Sequence, residues 1–540
     1  MAVDTETGTE LDRGVGLRLA RLKGRLFEVA LVASTLVGIV SLLVLFGYIA
    51  FDAFRPRTAS IQWYLVYFGT LVAPASAFTL YARRHPAVRA KSGKAFAAVF
   101  GGILLTLVTY AVLDAVSPYD VVIYAVGGGI PPLTVYAYAR KTGERTYSGP
   151  AYPAAVVLGL AMGAGLFDVV RPLVGIAAAW IAYYVLVTVP VAVGTGILVA
   201  RRFSRGSVPV AVSAVLGGGL LVAVGALTGG VDPSFPVVAF SLFVVPVGYV
   251  VGEAIVTDAE GRVGLAGPFV LLGGTLLGAS LVGQFGVGGP ETFLTPELLL
   301  NSWDGLNARN AGIYPPIIGS IVVVGFMMVL TIPVGVGAAV YLEEYAPESG
   351  LRGRLATILE VNISNLAGVP SVVYGLLGLA LFRNALGFGT GIVFSAAGTL
   401  GLLILPIVVV STQEALRSVP DSLRQASYGM GASRWQTLRN VVLPEAVPGT
   451  LTGTILSLAR AIGETAPLVI IAVATTTFSA PSGLFSSAAA LPLQIFAARS
   501  NAIPEFRHGV VPAAAVVLLA LMLLMNATAI VIRNRYDREG

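Results

Sequence analysis

The stretch STQEALRSVPDSLRQASYGMGASRWQTLRNVVLP, residues 411–444, is a polar interruption between two long apolar segments. Its pattern predicts two short helices joined by a tight turn. Pro420 and Asp421 suit the start of the first helix, and Gly429 and Gly431 suit its end. Two short helices between two membrane spans are typical of a segment that projects from the membrane surface.

The second short helix has its own start signal. Ser433 is followed three residues later by Gln436, which predicts a capping box, and Pro444 suits the first turn of the next span. Small side chains between the two helices predict a surface that another protein can approach closely, as a short helix in a partner's groove does. They are Ala426, Ser427, Gly429, Gly431 and Ala432. An amphipathic loop resting on the membrane is the alternative interpretation.

The composition decides the class of protein. The 540 residues are 56% hydrophobic and only 11% charged, whereas soluble domains carry about a quarter of their residues as charges. The chain has no cysteine and two distant histidines, His85 and His508, so no metal site is predicted. None of its four lysines lies in a Gly-Lys-Ser/Thr phosphate loop. The sequence therefore predicts a non-enzymatic membrane protein that binds no cofactor and no nucleic acid itself.

Apolar runs long enough to cross a bilayer recur along the whole chain. A transmembrane helix needs about 20 predominantly apolar residues, and about fourteen such segments are present. The predicted spans are 27–50, 62–82, 95–115, 120–139, 151–170, 173–200, 207–230, 235–256, 264–285, 313–342, 363–382, 390–412, 446–474 and 509–533. We expect an all-α polytopic membrane protein.

Loop charges predict its orientation in the plasma membrane. Basic residues cluster in alternate loops, as the positive-inside rule requires of cytoplasmic ones. These residues are Arg83, Arg84, Arg89, Lys91, Lys94, Arg140, Lys141, Arg145, Arg201, Arg202 and Arg205. The opposite loops hold Arg55, Arg57 and Arg171. Both termini and the 411–444 stretch are therefore expected to be cytoplasmic.

The chain divides near residue 262. Residues 1–262 contain about eight predicted spans with short basic loops and no assignable motif, whereas residues 263–540 carry the longer polar stretches. Because paired intramembrane charges are not evident in the first region, we expect it to be peripheral to any transport pathway, with membrane lipid as its partner. A sensor or assembly function of this region is an alternative.

The polar stretch resembles the EAA loop of ABC-importer permeases. That pattern is Glu-Ala-Ala, three residues, Gly, nine residues, Ile, one residue, Leu-Pro. The matching positions here are Gln425, Ala426, Ser427, Gly431, Val441, Leu443 and Pro444. Gln425 replaces the usual glutamate, which removes one expected salt bridge. The resemblance implies that this loop couples the permease to a partner ATPase.

Further segments narrow the resemblance to the phosphate-specific permeases of the PstA kind. In chain order they are YLEEYA (341–346), GVPSVVYGLLGL (368–379), ARAIGETAPL (459–468) and LPLQIF (491–496). The similarity covers roughly residues 313–535. It implies a type I importer core with a second permease of the PstC kind and two ATPase subunits that bind ATP and Mg. It also implies an extracytoplasmic phosphate-binding protein.

Residues 18–54, a basic run followed by a long span, also resemble the usual first span of that family. The additional spans could therefore precede the permease or interrupt it after its first span. Both possibilities remain open at this point.

Arg460 and Glu464 are the most distinctive charges within an apolar segment. A charge at mid-membrane costs about 2.5–3.5 kcal/mol, so such residues usually face a cavity and have a function. Their spacing of four places them one helical turn apart. We expect Arg460, Glu464 and the adjacent Thr465 to line the pathway of an anion, with the guanidinium as its ligand. Pro467 is expected to interrupt the helix. A structural ion pair is the alternative.

Two other interpretations of the function remain. The anion could be another oxyanion, such as sulfate, molybdate or tungstate. An ATP-independent secondary transporter is the other alternative, although the halves show no inverted repeat.

A second group of charges lies between two predicted spans. Glu343, Glu344 and Glu348, beside Arg352 and Arg354, are expected to form a solvated cytoplasmic loop.

Overall fold

The computed structural model describes residues 6–142, 175–202, 205–257, 261–347 and 349–539, with a few positions between 155 and 173. Within those ranges every element longer than an isolated bridge is helical. The predicted all-α class is confirmed.

The first part of the chain forms a series of long helices. They are α1 (Glu6–Phe54), α2 (Ile61–Arg84), α3 (Pro86–Val116), α4 (Pro118–Thr142), α5 (Ala179–Arg202), α6 (Val208–Thr228), α7 (Ser234–Val256) and α8 (Arg262–Gln284). Helix α4 coincides with the predicted span 120–139. The predicted span 151–170 lies almost entirely outside the described residues.

Shorter and broken helices mark the second part. They are α9 (Tyr314–Tyr345), α10 (Gly350–Leu366), α11 (Ser371–Ala385), α12 (Val393–Arg417), α13 (Asp421–Gly429), α14 (Arg434–Gly463), α15 (Ala466–Ile470), α16 (Leu491–Arg499) and α17 (Val511–Glu539). The described residues contain 11 helices long and apolar enough to cross a membrane, or 12 if one bent pair counts as a span.

Two predicted spans are wrong in shape. The span expected at 363–382 is broken, because the chain bends by 115° between α10 and α11, around Val369 and Pro370. The span expected at 446–474 stops early, because α14 ends at Gly463. Mean hydropathy shows that both segments are apolar but does not reveal where their backbone turns.

Prolines inside the spans explain a recurrent departure from α-helical geometry. Five π-helical turns in the described residues each end two positions before a proline. The turns are Phe68–Val72, Tyr184–Thr188, Phe240–Val244, Leu438–Val442 and Phe506–Val510. Proline lacks an N–H and its ring clashes with the carbonyl four residues earlier. A wider turn relieves that clash and keeps the remaining backbone groups hydrogen-bonded, which a membrane helix requires.

Helices α9, α12 and α14 form the centre of the second part. Ile318 and Met327 of α9 pack against Val393 and Leu400 of α12, and all four are nearly inaccessible to solvent. Ala111 and Ala115 of α3 belong to the same apolar cluster. The first region, residues 1–262, is therefore in direct contact with the central helices of the second part through α3.

Helix α1 packs against α17, far from it in sequence. Arg55 Nη2 donates a hydrogen bond to the His508 carbonyl (2.9 Å), and Thr292 Oγ1 donates one to the carbonyl of the fully buried Ala53 (2.9 Å). Such packing is what an insertion of α2–α8 after a first permease span would require. The boundary near residue 262 stays a prediction.

The first region contains a cluster of paired charges near the ends of three helices, which the sequence did not reveal. Glu253 of α7 is 3% exposed and accepts hydrogen bonds from Lys94 Nζ of α3 (2.9 Å) and Arg202 Nη2 of α5 (2.8 Å). The three residues lie near the ends of their helices, so the long basic side chains also reach water. The cluster joins three helices at one surface.

Candidate translocation and coupling sites

The backbone leaves helical geometry in the middle of the ARAIGETAPL motif. Helix α14 ends at Gly463, Glu464 is extended (φ −73°, ψ 126°), and Thr465 precedes the short helix α15 without a side-chain cap. From Ile471 to Ala490 the chain forms turns and isolated bridges, including Ile392 with Ser487. At membrane depth, non-helical backbone is tolerated only where protein buries it or where it lines a water-filled cavity.

Arg460 and Glu464 meet at this break. Arg460 Nε donates to Glu464 Oε1 over 3.2 Å. Glu464 is the first residue beyond the helix, so the pair spans the break instead of lying on one helix face as predicted. The Arg460 side chain is 47% exposed and that of Glu464 is 16% exposed.

The surface around Arg460 is not covered by this chain. Leu456, one turn earlier, is 68% exposed, and Gly463, one turn later, is also exposed. Within the described residues, the Arg460 guanidinium makes no other hydrogen bond, so most of its N–H donors are available to a ligand. A guanidinium on an apolar helix is costly in contact with lipid, so a second protein or an aqueous path is expected there.

The two broken segments lie against each other. A Cβ atom on Gly375 of α11 would lie 2.9 Å from Ile470 Cβ and 2.9 Å from Pro467 Cα of α15, so only glycine allows this approach. Next to it, Tyr374 is 4% exposed and donates a hydrogen bond to the Leu366 carbonyl across the α10–α11 bend (2.7 Å). The contact holds the break at Glu464 and Thr465 in a fixed position.

The polar stretch forms the two predicted helices. Helix α13 is followed by Gly431 in the left-handed region (φ +82°), and the capping box of the second helix is present. The Ser433 backbone N–H donates to Gln436 Oε1 (2.8 Å), and the Gln436 N–H donates to Ser433 Oγ (3.3 Å). The second helix then continues through Pro444 into the membrane span, as one helix α14.

Most of the predicted coupling residues lie on the surface. Gln425, Ala426, Gly431 and Pro444 are exposed, and Leu443 packs partly against the base of the loop. Ser427 differs: it is 4% exposed, and its hydroxyl forms a hydrogen bond with Thr437 Oγ1 (2.8 Å). It therefore joins the two helices and is not part of an outer contact surface.

Large apolar side chains project from the same loop. Met430 is 82% exposed, Trp435 51% and Tyr428 44%. The small residues therefore lie beside three large ones, and the predicted surface without projecting side chains is incomplete. An exposed tryptophan and methionine at the tip of a polar loop are typical anchors for a partner protein.

The sequence suggested that the glutamates of YLEEYA lie in a solvated loop. In the structure they form ion pairs with arginines instead. The single Arg417 Nε–H is shared between the two carboxylate oxygens of Glu343 (both 3.0 Å), and Arg417 Nη2 also donates to Glu360 Oε1 (2.7 Å). Arg417 ends α12, just before the loop of residues 420–444 that α13 and the first turns of α14 form, called the coupling loop below. Glu348 lies outside the described residues.

The neighbouring glutamate binds the loop itself. Glu344 is 5% exposed and pairs with Arg424 Nη1 of α13, while Arg424 Nη2 donates to the Leu416 carbonyl (2.8 Å). Sequence reasoning missed Arg417 and Arg424 as functional candidates. The signal that could have identified them is one arginine on each side of Pro420, together with the two adjacent glutamates Glu343 and Glu344. The pairs fix the angle at which the loop leaves the membrane.

Residues 331–538 match the family model described as the binding-protein-dependent transport system inner membrane component. The chain is 37% identical over 223 residues to the phosphate transport system permease protein PstA 1 of Mycobacterium tuberculosis (strain CDC 1551 / Oshkosh), covering 41% of this chain and 70% of that protein.

The chain belongs to the binding-protein-dependent transport system inner membrane components.

Other proteins are similar to this chain over comparable lengths. The probable ABC transporter permease protein YqgI of Bacillus subtilis (strain 168) is 33% identical over 235 residues, 41% of this chain and 78% of that protein. The phosphate transport system permease protein PstC of Haemophilus influenzae is 28% identical over 264 residues, which cover 44% of this chain and 79% of that protein. A chain of an inward-facing structure of the MetNI methionine ABC transporter aligns with this protein at 20% identity and a TM-score of 0.31. The alignment covers 42% of this chain and 94% of that chain.

Proposed function

We propose that this chain is the permease subunit of an ATP-driven phosphate importer and forms half of its translocation pathway. Relatives that are 33–39% identical carry the name phosphate transport system permease protein PstA. The sequence motifs shared with that family fall on the two structural features described above, the broken helix and the coupling loop.

The position of Arg460 carries the proposal. Its guanidinium lies at a break in a membrane helix, on a face that this chain leaves uncovered, and one nearby carboxylate neutralises it. A phosphate oxygen can replace Glu464 on the guanidinium, whose fixed donor geometry matches an oxyanion. Glu464 then recovers its partner when the anion leaves, so the site binds and releases.

The uncovered face of α14 suits a second permease of the PstC kind. Relatives named PstC match this chain over 44–46% of its length, so two related subunits could present similar surfaces to each other. The exposed tip of the coupling loop suits an ATPase, and two copies would serve the two permeases. ATP and Mg would bind there, and an extracytoplasmic phosphate-binding protein would deliver the anion.

Transport by the complete complex tests the proposal. The chain is co-purified with its second permease and ATPase, reconstituted in vesicles with the binding protein, and supplied with radiolabelled phosphate. We expect uptake only with hydrolysable ATP, and competition by unlabelled phosphate but not by equal sulfate, molybdate or tungstate. Uptake of one of those anions in preference to phosphate would assign another substrate, and uptake without ATP would assign a secondary transporter.

Orientation gives a further testable prediction. The native chain lacks cysteine, so single cysteines at the exposed positions Ala90, Asn307 and Ser422 can be labelled selectively. With both termini cytoplasmic, a membrane-impermeant maleimide added outside intact cells should label only the cysteine at 307. All three should react after the cells are opened. Labelling at 422 from outside would contradict the scheme, because a cytoplasmic ATPase could not reach the loop.

A further inference from the structure

A cavity of about 430 Å³ lies among α2, α3 and α8, in the region that precedes the permease family match. Its size lies within the range of small-molecule sites, about 300–1,000 Å³. The walls are largely apolar and include Phe78, Phe96, Val270 and Leu271. Gly93 of α3 leaves open space on this wall, since a Cβ there would meet no atom within 4 Å.

Close backbone contacts keep the cavity open. Added Cβ atoms on Gly264 and Gly274 would contact the Val88 and Thr70 carbonyl oxygens. Helix α8 and the turn that begins it therefore lie directly on α3 at one point and on α2 at another. These two backbone contacts fix the spacing of the helices around the cavity.

Two arginines line the basic end of the cavity. Arg83 belongs to the last turn of α2 and Arg89 to the start of α3, and both are exposed. Neither guanidinium is ion-paired with a carboxylate in the part of the chain that the structure describes. Apolar walls below two available cations complement a molecule with an acyl chain and an anionic head.

We propose that this cavity binds one anionic phospholipid, with its phosphate held by Arg83 and Arg89 and an acyl chain along the apolar wall that includes Phe78 and Phe96. A free phosphate ion would use the arginines and leave the apolar volume without a ligand, so the lipid uses more of the site. The basic loops place this end at the predicted cytoplasmic face, where anionic lipids are abundant. The site shares no residue with the proposed pathway around Arg460.

Native mass spectrometry of the purified full-length chain in detergent tests the proposal, with phosphatidylglycerol and phosphatidylcholine as added probes. We expect one tightly held phosphatidylglycerol per chain. Gly93→Phe should fill the cavity and weaken its retention by at least about tenfold, the equivalent of losing two buried methylene groups. Gly101→Phe is the matched control on the same helix, since Gly101 also has open space around it but does not line the cavity.

A second pair of variants tests the headgroup. Arg83→Gln and Arg89→Gln should each lower the preference for phosphatidylglycerol by about fivefold, as expected for one basic side chain near an anionic group. Arg84→Gln, next to Arg83 but not lining the cavity, should leave it unchanged. These variants decide the outcome if Gly93→Phe does not fold, as judged by size-exclusion elution and helical content.

Three results would overturn the proposal. Equal retention of phosphatidylcholine would remove the headgroup specificity. Displacement of the bound lipid by millimolar glycerol phosphate or inorganic phosphate would indicate a site for a free anion. Equal lipid retention by Gly93→Phe and Gly101→Phe would place the bound lipid elsewhere on the protein.

Discussion

Replacing Arg460 with lysine is expected to lower ATP-driven phosphate uptake by about ten- to a hundredfold, the loss of one or two charge-assisted hydrogen bonds. Lysine keeps the positive charge but loses the planar donor arrangement that can hold Glu464 and an oxyanion oxygen together. Arg460→Gln should reduce uptake further, because it leaves Glu464 without its partner. Initial rates of radiolabelled phosphate uptake into reconstituted vesicles measure both effects.

The control separates a pathway residue from a structural ion pair. Arg201 lies at an exposed position at the end of α5, outside both the break and the 411–444 stretch, so Arg201→Lys should transport normally. Membrane abundance and co-purification of the ATPase are measured for each variant. If Arg460→Gln and Glu464→Gln both assemble and transport at the normal rate, the pair is not in the pathway. If neither variant accumulates in the membrane, the pair is structural.

Replacing Gly431 with valine is expected to abolish most transport while the protein still inserts into the membrane. Gly431 has φ +82°, and a Cβ atom added there would meet no neighbouring atom within 4 Å, so its requirement for glycine is conformational and does not arise from steric crowding. The left-handed region costs an L-residue about 1–2 kcal/mol, and a β-branched residue more. The turn between α13 and α14 should open, and Met430 and Trp435 should lose their relative positions.

Two further variants define the cause. Gly429→Val is the matched control, because Gly429 also has open space but no positive φ. Gly431→Asn should keep much of the activity, since asparagine tolerates the left-handed region. The ratio of phosphate transported to ATP hydrolysed is the measurement. A normal ratio for Gly431→Val would show that the turn does not transmit the coupling.

The coupling loop was predictable because its determinants are local. A proline and aspartate at the start, a glycine at the turn and the Ser433–Gln436 capping box all act within a few residues. The break after Gly463 was less accessible to prediction. Hydropathy averages over about 20 residues, and the apolar residues that follow Thr465 belong to a short helix and irregular backbone that lie against α11.

Pairings between distant residues were not predictable from one sequence. Glu344 meets Arg424 across 80 positions, and Glu253 meets Lys94 across 159. The sequence shows each charge but not the helix packing that brings two of them together. The hydrogen bond between Ser427 and Thr437 was not predictable for the same reason, because a small hydroxyl gives no indication of which neighbour it will bind. The helices themselves follow from composition, but their mutual contacts do not.

The contact between α1 and α17 has a consequence for biosynthesis. Arg55 and His508 are 453 residues apart, so α1 enters the bilayer long before the ribosome has made the helix it packs on. Its most apolar stretch has a mean hydropathy of 2.7 and is not buried by the rest of the chain, which suits prolonged residence in lipid alone. Contacts of high sequence separation form late. Translation products that stop before residue 506 should therefore leave α1 mobile in the membrane and available to quality-control proteases.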